Sequence, residues 1–213
     1  MLLAMPSKDN EDDRESGFEE HFLRTLLEDA INAINRCSNE DNAANYRDAI
    51  RTIFASLEGV LAWWRESILD FAQHSDSLDL KTILALSEIS FSIDSDGNVN
   101  ERKNHIPFVT MVKLCGKALR RINPDWKLDL SVKGWAQVKR ATDIRNRIMH
   151  PKNASHLIVS MDELNDSVGG LLWFLETTVG AVENTNRSLR ENYAEIRMML
   201  KAAKAETIYE PKA

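Results

Sequence analysis

The sequence predicts an all-α protein: an up-and-down helical bundle with a small β-hairpin or loop insertion and a long C-terminal helix. Three observations carry that expectation. Apolar residues recur every three or four positions along most of the chain, the period of a one-sided helix. Among 213 residues there are 8 glycines and 5 prolines, too few for the many turns of a β-sandwich. The two cysteines, Cys37 and Cys115, cannot build a disulfide framework or a four-cysteine zinc site.

Residues 1–16 are read as a disordered acidic lead, 17–204 as one helical domain and 205–213 as a flexible tail. The lead holds Asp9, Glu11, Asp12, Asp13 and Glu15 and little to bury. The opening Met1-Leu2-Leu3-Ala4-Met5-Pro6 is too short for a secretory apolar core, and no apolar run could span a bilayer. The expectation is a cytoplasmic protein with no membrane partner.

A first helix is expected from about Phe18 to Arg36, where Phe22, Leu23, Leu26, Leu27, Ala30, Ile31 and Ile34 share a stripe. The polar run Asn39-Glu40-Asp41-Asn42 breaks it. A longer helix should follow from roughly Ala43 to Gln73, with Ile50, Ile53, Phe54, Leu57, Leu61, Trp64 and Ile68 keeping the period. A third helix is expected over 79–90. Phe91-Ser92-Ile93 and Val99 then flank Asp96-Gly97, a hairpin signal within an insertion at 90–104. A calcium loop starting at Asp94 would need Gly at Val99 and Glu at His105, so that reading fails.

Pro107 suits the first turn of a helix running to about Ile122, which Asn123-Pro124 stops. Another helix should span about Ser131 to Met149, ending against Pro151. Ser160-Met161-Asp162-Glu163 is a capping-box pattern opening a last helix to about Ala203. A continuous helix there and one broken near 183–188 both fit the spacing. A continuous one would outreach a small bundle and have its far end free for a second subunit or the first helix.

The net charge of -6 hides a strong asymmetry. From Lys113 to Lys152 eleven basic residues face three acidic ones, a local excess of eight, so the remainder carries a net of -14. A basic segment in an acidic chain suits an anionic ligand such as a phosphodiester backbone, and equally suits solvated helix faces paired to their neighbours.

Nucleophile elbows, phosphate-binding glycine loops and dinucleotide fingerprints are absent, and no cofactor is expected. His150 and His156 lack helical ligand spacing, so no metal site is expected either. A helix-turn-helix reading fails for want of a short glycine-containing turn in the basic segment.

What remains is Arg145-Asn146-Arg147-Ile148-Met149-His150-Pro151-Lys152. An Arg and a His five apart carry little information. An Asn directly after the Arg narrows the chance occurrence to roughly one in a hundred. Asn146 and His150 are four apart, hence on one helix face, with Arg145 at its edge. Because a helix C-terminus repels phosphate, side chains must supply the positive charge, and Arg145, Arg147 and Lys152 are placed to do so. An imidazole beside guanidinium groups suffices for phosphodiester cleavage when the 2′-hydroxyl of RNA is the nucleophile. The same residues also suit a plain helix end, with His150 near the last carbonyls and Arg145 in a surface ion pair.

Arg-Asn-Xaa-Xaa-Xaa-His before Pro-Lys at a helix end resembles the Arg-X(4–6)-His motif of HEPN domains, helical bundles of four to five helices. The resemblance covers the motif and, loosely, the helical order from about residue 43 to 182. It implies a metal-independent endoribonuclease of toxin–antitoxin, phage-defence or RNA-processing type, acting on RNA as a homodimer with two motifs facing one cleft. It implies Arg145, Asn146 and His150 as the catalytic set, with Glu58 as an acidic residue on an earlier helix. Arg147, Lys152, Lys139 and Arg140 would bind the RNA backbone, and a protein antitoxin or regulator would restrain the enzyme. The family also includes non-catalytic modules that bind a protein, nucleotide or RNA partner, which is the alternative expectation. The acidic first helix, the insertion and the long tail depart from the family pattern.

Overall fold

The computed structural model describes residues 9–40 and 42–207. Its elements are α1 (Asp9–Asn39), α2 (Ala43–Ser75), α3 (Leu80–Leu86), β1 (Ile89–Ile93), β2 (Val99–Lys103), α4 (Phe108–Ile122), α5 (Lys133–Met149) and α6 (Met161–Thr207), with a short 3-10 turn at Ala154–Leu157. The expected class therefore holds: a helical protein with one small antiparallel hairpin and a long last helix.

Several boundaries differ for identifiable reasons. The helical backbone of α1 reaches back to Asp9, into the stretch expected to be disordered, because extending an existing helix costs far less than nucleating one. The outer parts of the expected lead and tail, 1–8 and 208–213, lie outside the described residues. The third helix stops at Leu86 rather than near residue 90. Glu88 adopts φ 55° and its carbonyl accepts the Asn104 N–H at 2.7 Å, which commits the next residues to strand pairing. Pro107 precedes α4 as its cap.

Local chemistry sets the other ends. Asn42 caps α2 by accepting from the N–H groups of Ala44 and Asn45 at 3.0 and 2.9 Å. Asp79 caps α3 and also meets Arg121 of α4 at 3.0 Å. Hydrogen bonds from Thr82, then from Arg121, hold its carboxyl down to about 2. A depressed carboxyl stabilises above its ordinary range, so this brace is lost only as pH falls toward that value. In the hairpin, Ile93 pairs with Val99, and the Asp94 carboxylate accepts from the Asp96 and Asn98 N–H groups while Gly97 turns the chain at φ 82°.

Helix α2 is the axis of the bundle. It packs against α1, where the Ser56 hydroxyl donates to the Leu26 carbonyl at 2.8 Å, and against α4, α5 and α6. Trp64, Ile50, Ile53, Leu57 and Ile68 of α2 are buried with Phe174 of α6, Leu119 of α4 and Ile148 of α5. Aromatic rings run through this core in sequence: Phe54 to Phe108 (5.3 Å), Phe108 to Phe174 (5.7 Å), Phe174 to Trp64 (6.1 Å) and Trp64 to Trp126 (6.0 Å). Tilted and edge-on pairs at such separations add on the order of 1 kcal/mol each to the area they bury.

No break interrupts α6 at 183–188; it is one helix of 47 residues, about 70 Å long. Asn123, buried at the end of α4, donates from Nδ2 to Asn184 Oδ1 at 2.9 Å. Ala181 and Thr185 are buried alongside, so the polar run that could have opened the helix is pinned to α4. No helix of the described residues is long and apolar enough to cross a membrane.

Helices α5 and α6 approach closely at Gly134, where an added Cβ would overlap the Trp173 ring. At Gly180, also helical, a Cβ would meet nothing within 4 Å. Gly134→Ala should therefore lower stability by about 1–3 kcal/mol, while Gly180→Ala should raise it by up to about 1 kcal/mol. Thermal unfolding of the two variants checks both signs.

Cys37 and Cys115 are free and buried. Burial pushes both thiols up, Cys115 to about 12. Neither should react with an aromatic disulfide reagent at neutral pH in the folded protein, and both should react in denaturant; a thiol titration reads this directly.

Candidate functional site

Phe54, Glu58, Leu61 and Arg65 follow one another along α2 at steps of four, three and four, so they share a face. Thr142, Arg145 and Asn146 share a face of α5 in the same way. These two faces and the segment leading into α4, His105 to Val109, enclose a cleft of about 400 Å³. Ile106, Phe108 and Met111 complete its apolar wall.

Arg145 is held from three directions. Its guanidinium carbon lies 4.9 Å from the Phe54 ring centroid, Nη2 is 3.5 Å from Glu58 Oε1, and Nη1 donates to Asn146 Oδ1 at 3.2 Å. The Arg145 side chain is 29% exposed and that of Glu58 51%, so each contact is worth only on the order of 0.5–1 kcal/mol. Their joint effect is orientation: a cation fixed at the rim with donors still open to the cleft.

His150 caps the C-terminus of α5 with φ -126° and ψ 61°, its N–H bonded to the Asn146 carbonyl at 3.1 Å. Pro151 ends the helix there, as expected. The imidazole is exposed and makes no hydrogen bond or ion pair among the described residues. It does not line the cleft. Five residues of ideal helix put Arg145 and His150 about 140° apart around the axis and roughly 7.5 Å along it, with Asn146 between them. The fold thus joins Arg145 and Asn146 by a hydrogen bond and leaves His150 one turn away on the helix end.

The expected backbone-binding residues divide into two groups. Arg147 Nη2 meets Glu163 Oε1 at 2.8 Å, and Arg140 Nη1 meets Asp166 Oδ2 at 3.0 Å, both carboxylates on α6. These two arginines fasten α5 to α6. Lys139 and Lys152 are exposed and make no ion pair among the described residues. Behind the motif, Arg47 of α2 donates to the Leu157 carbonyl at 2.9 Å and braces the connection into α6. Met149, Ile158 and Met161, all in this stretch, are exposed apolar side chains.

Sequence reasoning passed over the far wall of the cleft. Glu88 Oε1 accepts the Ile106 N–H at 2.9 Å, and its Oε2 meets Arg65 Nη1 at 3.0 Å; His105 Nδ1 lies 3.8 Å from Oε1. The base of the hairpin is thereby tied to α2. The available signal was Glu58 and Arg65 at positions of an otherwise apolar stripe. Among the described residues no group of three His, Cys, Asp or Glu is placed to hold a metal ion. Comparison with protein-family models, curated proteins and solved structures finds none that matches the chain.

Glu163 serves two neighbours. Its Oε2 accepts the Ser160 N–H at 3.1 Å while Ser160 Oγ accepts the Glu163 N–H at 3.2 Å, the capping box expected there, and its Oε1 holds Arg147. Glu163→Ala should cost about 1–2 kcal/mol, with Glu163→Gln restoring most of it. Urea unfolding of the pair measures the difference.

Proposed function

We propose that the protein is an endoribonuclease that cleaves by 2′-hydroxyl attack without a metal ion, working as a homodimer. The observation that carries this reading is the pairing of an immobilised guanidinium, Arg145, with an exposed imidazole, His150, that is unpartnered among the described residues and stands five residues on, at the same helix end. Arg145 neutralises the scissile phosphate and Asn146 positions it. One imidazole accepts the 2′-hydroxyl proton as the bond from that oxygen to phosphorus forms. The bond from phosphorus to the 5′-oxygen breaks, and that oxygen takes a proton from the imidazolium of the second copy. The products are a 2′,3′-cyclic phosphate and a free 5′-hydroxyl.

A single chain leaves the imidazole on an open surface, and catalysis by charge needs an enclosed site. The exposed apolar side chains of Met149, Ile158 and Met161 around the motif give a second copy something to bury. Lys139 and Lys152 supply uncommitted charge for the strand. A free enzyme of this kind requires restraint in the cell, for which a protein antitoxin is the natural partner. The alternative is a non-catalytic binding module. It draws on Leu172 and Val179, exposed and seven apart on α6, as a docking stripe for a partner helix.

Purified protein should cleave single-stranded RNA in the presence of EDTA, leaving 2′,3′-cyclic ends. His150→Ala should lower the rate by about 10²–10⁴-fold while circular dichroism stays unchanged, and Arg145→Ala should do likewise. Binding without cleavage, or cleavage indifferent to His150, favours the binding module.

A further inference from the structure

We infer that the cleft beside Arg145 is a base-binding pocket selective for guanine. The inference rests on the nuclease reading for the RNA strand that delivers the base; occupancy of the pocket is measurable by itself.

The cleft is large enough for a nucleobase and its ribose: about 400 Å³, within the range of small-molecule sites. Its walls carry aromatic and aliphatic surface from Phe54, Phe108, Leu61 and Ile106. Single-stranded RNA is read by such surfaces, with unstacked bases laid on rings or guanidinium planes and hydrogen-bonded along their Watson–Crick edges.

The polar groups at the rim then discriminate among bases. Both oxygens of Glu88 are committed, one to Ile106 and one to Arg65. Glu58 is different. Only its Oε1 has a partner, Arg145 at a loose 3.5 Å, and Oε2 accepts no hydrogen bond among the described residues. A carboxylate offers two acceptors and no donor. Guanine alone among the four RNA bases presents two neighbouring donors on that edge, N1–H and the N2 amino group. Beside them stands O6, an acceptor. Asn146 meets that need, because its Oδ1 faces Arg145 and its Nδ2 donors are unused among the described residues. Glu58 and Asn146 each contact one terminal nitrogen of the same guanidinium, so acceptor and donor stand on either side of it. Adenine and cytosine would give the carboxylate one donor each, and uracil would set its carbonyls on both sides of its single donor.

The test uses the His150→Ala protein, which removes the imidazole without touching the cleft lining, and titrates it with GMP, AMP, CMP and UMP by calorimetry. GMP should bind at least about tenfold more tightly than the other three, the difference made by one additional hydrogen bond to a charged group. Glu58→Gln should bring the four within about threefold of one another, since an amide presents one donor and one acceptor. Ala62→Trp, filling the cleft from α2, should abolish binding of all four. Should that variant fail to fold, Val109→Trp from the opposite wall serves the same purpose. Equal affinities in the parent protein, a guanine preference that survives Glu58→Gln, or absence of GMP binding at millimolar concentration would each overturn the pocket. RNA cleavage by the unmodified protein without GMP binding would remove the pocket and keep the nuclease; GMP binding without any RNA cleavage would do the reverse.

Discussion

The Phe54 ring belongs at once to the core, where it meets Phe108 at 5.3 Å, and to the cleft, where the Arg145 guanidinium lies 4.9 Å from its centroid. Through Phe108 it connects to Phe174 and from there to Trp64, so the site stands at one end of the aromatic series that holds α2, α4 and α6 together. The orientation of Arg145 is therefore set by a ring that is itself locked in the packed core, together with Glu58 and Asn146. A partly exposed guanidinium on flexible methylenes would otherwise sample many rotamers. Here its plane, its carboxylate and its amide neighbour are all fixed by helices α2 and α5, which supply Phe54, Glu58 and Asn146.

The basic segment divides its labour by residue type. Arg121, Arg140, Arg145 and Arg147 each meet a carboxylate on another helix or its cap: Asp79, Asp166, Glu58 and Glu163. None of the lysines between Lys113 and Lys152 makes an ion pair among the described residues, and Arg120 makes none either. Guanidinium groups, with their planar forks, suit directed bridges between elements. Ammonium groups on flexible stems remain solvated and free to contribute to a long-range field. The charge excess read from the sequence thus survives folding mainly as lysine charge, while much of the arginine charge is spent on architecture.

The helices were legible because burial in a bundle imposes a period of 3.6 on apolar residues, and α2, α4 and α5 follow it closely. The capping box at Ser160–Glu163 and the stop at Pro151 were legible for the same reason: each is a local interaction between residues near in sequence. The continuity of α6 through 183–188 was not, because it depends on Asn123, more than sixty positions away. Nor was the cleft. Phe54 reads as one more core residue until the fold places Arg145 over it, and Glu88 lies outside any periodic stripe. What the sequence could show was the pair of charged residues, Glu58 and Arg65, at the edge of the apolar stripe of α2, where a charge beside apolar neighbours gains from a partner.

The separation of Arg145 and His150 bears on what kind of ligand could use both. Side chains leaving an ideal helix about 140° apart and roughly 7.5 Å along its axis have Cβ atoms on the order of 10 Å apart. A compact anion such as free phosphate would engage one of them and leave the other in water. A nucleotide within a strand is long enough to do more, with its base in the cleft and its phosphate passing over Asn146 toward the helix end. The α5 terminus would repel that phosphate, so a bound strand would need cationic side chains to offset the dipole. If the protein acts as the proposed dimer, the phosphate would meet Arg145 on one side and the basic surface of the second copy on the other. On the proposed reading the acidic remainder of the chain sharpens this requirement, because it leaves the motif end as the favourable place for a polyanion to settle.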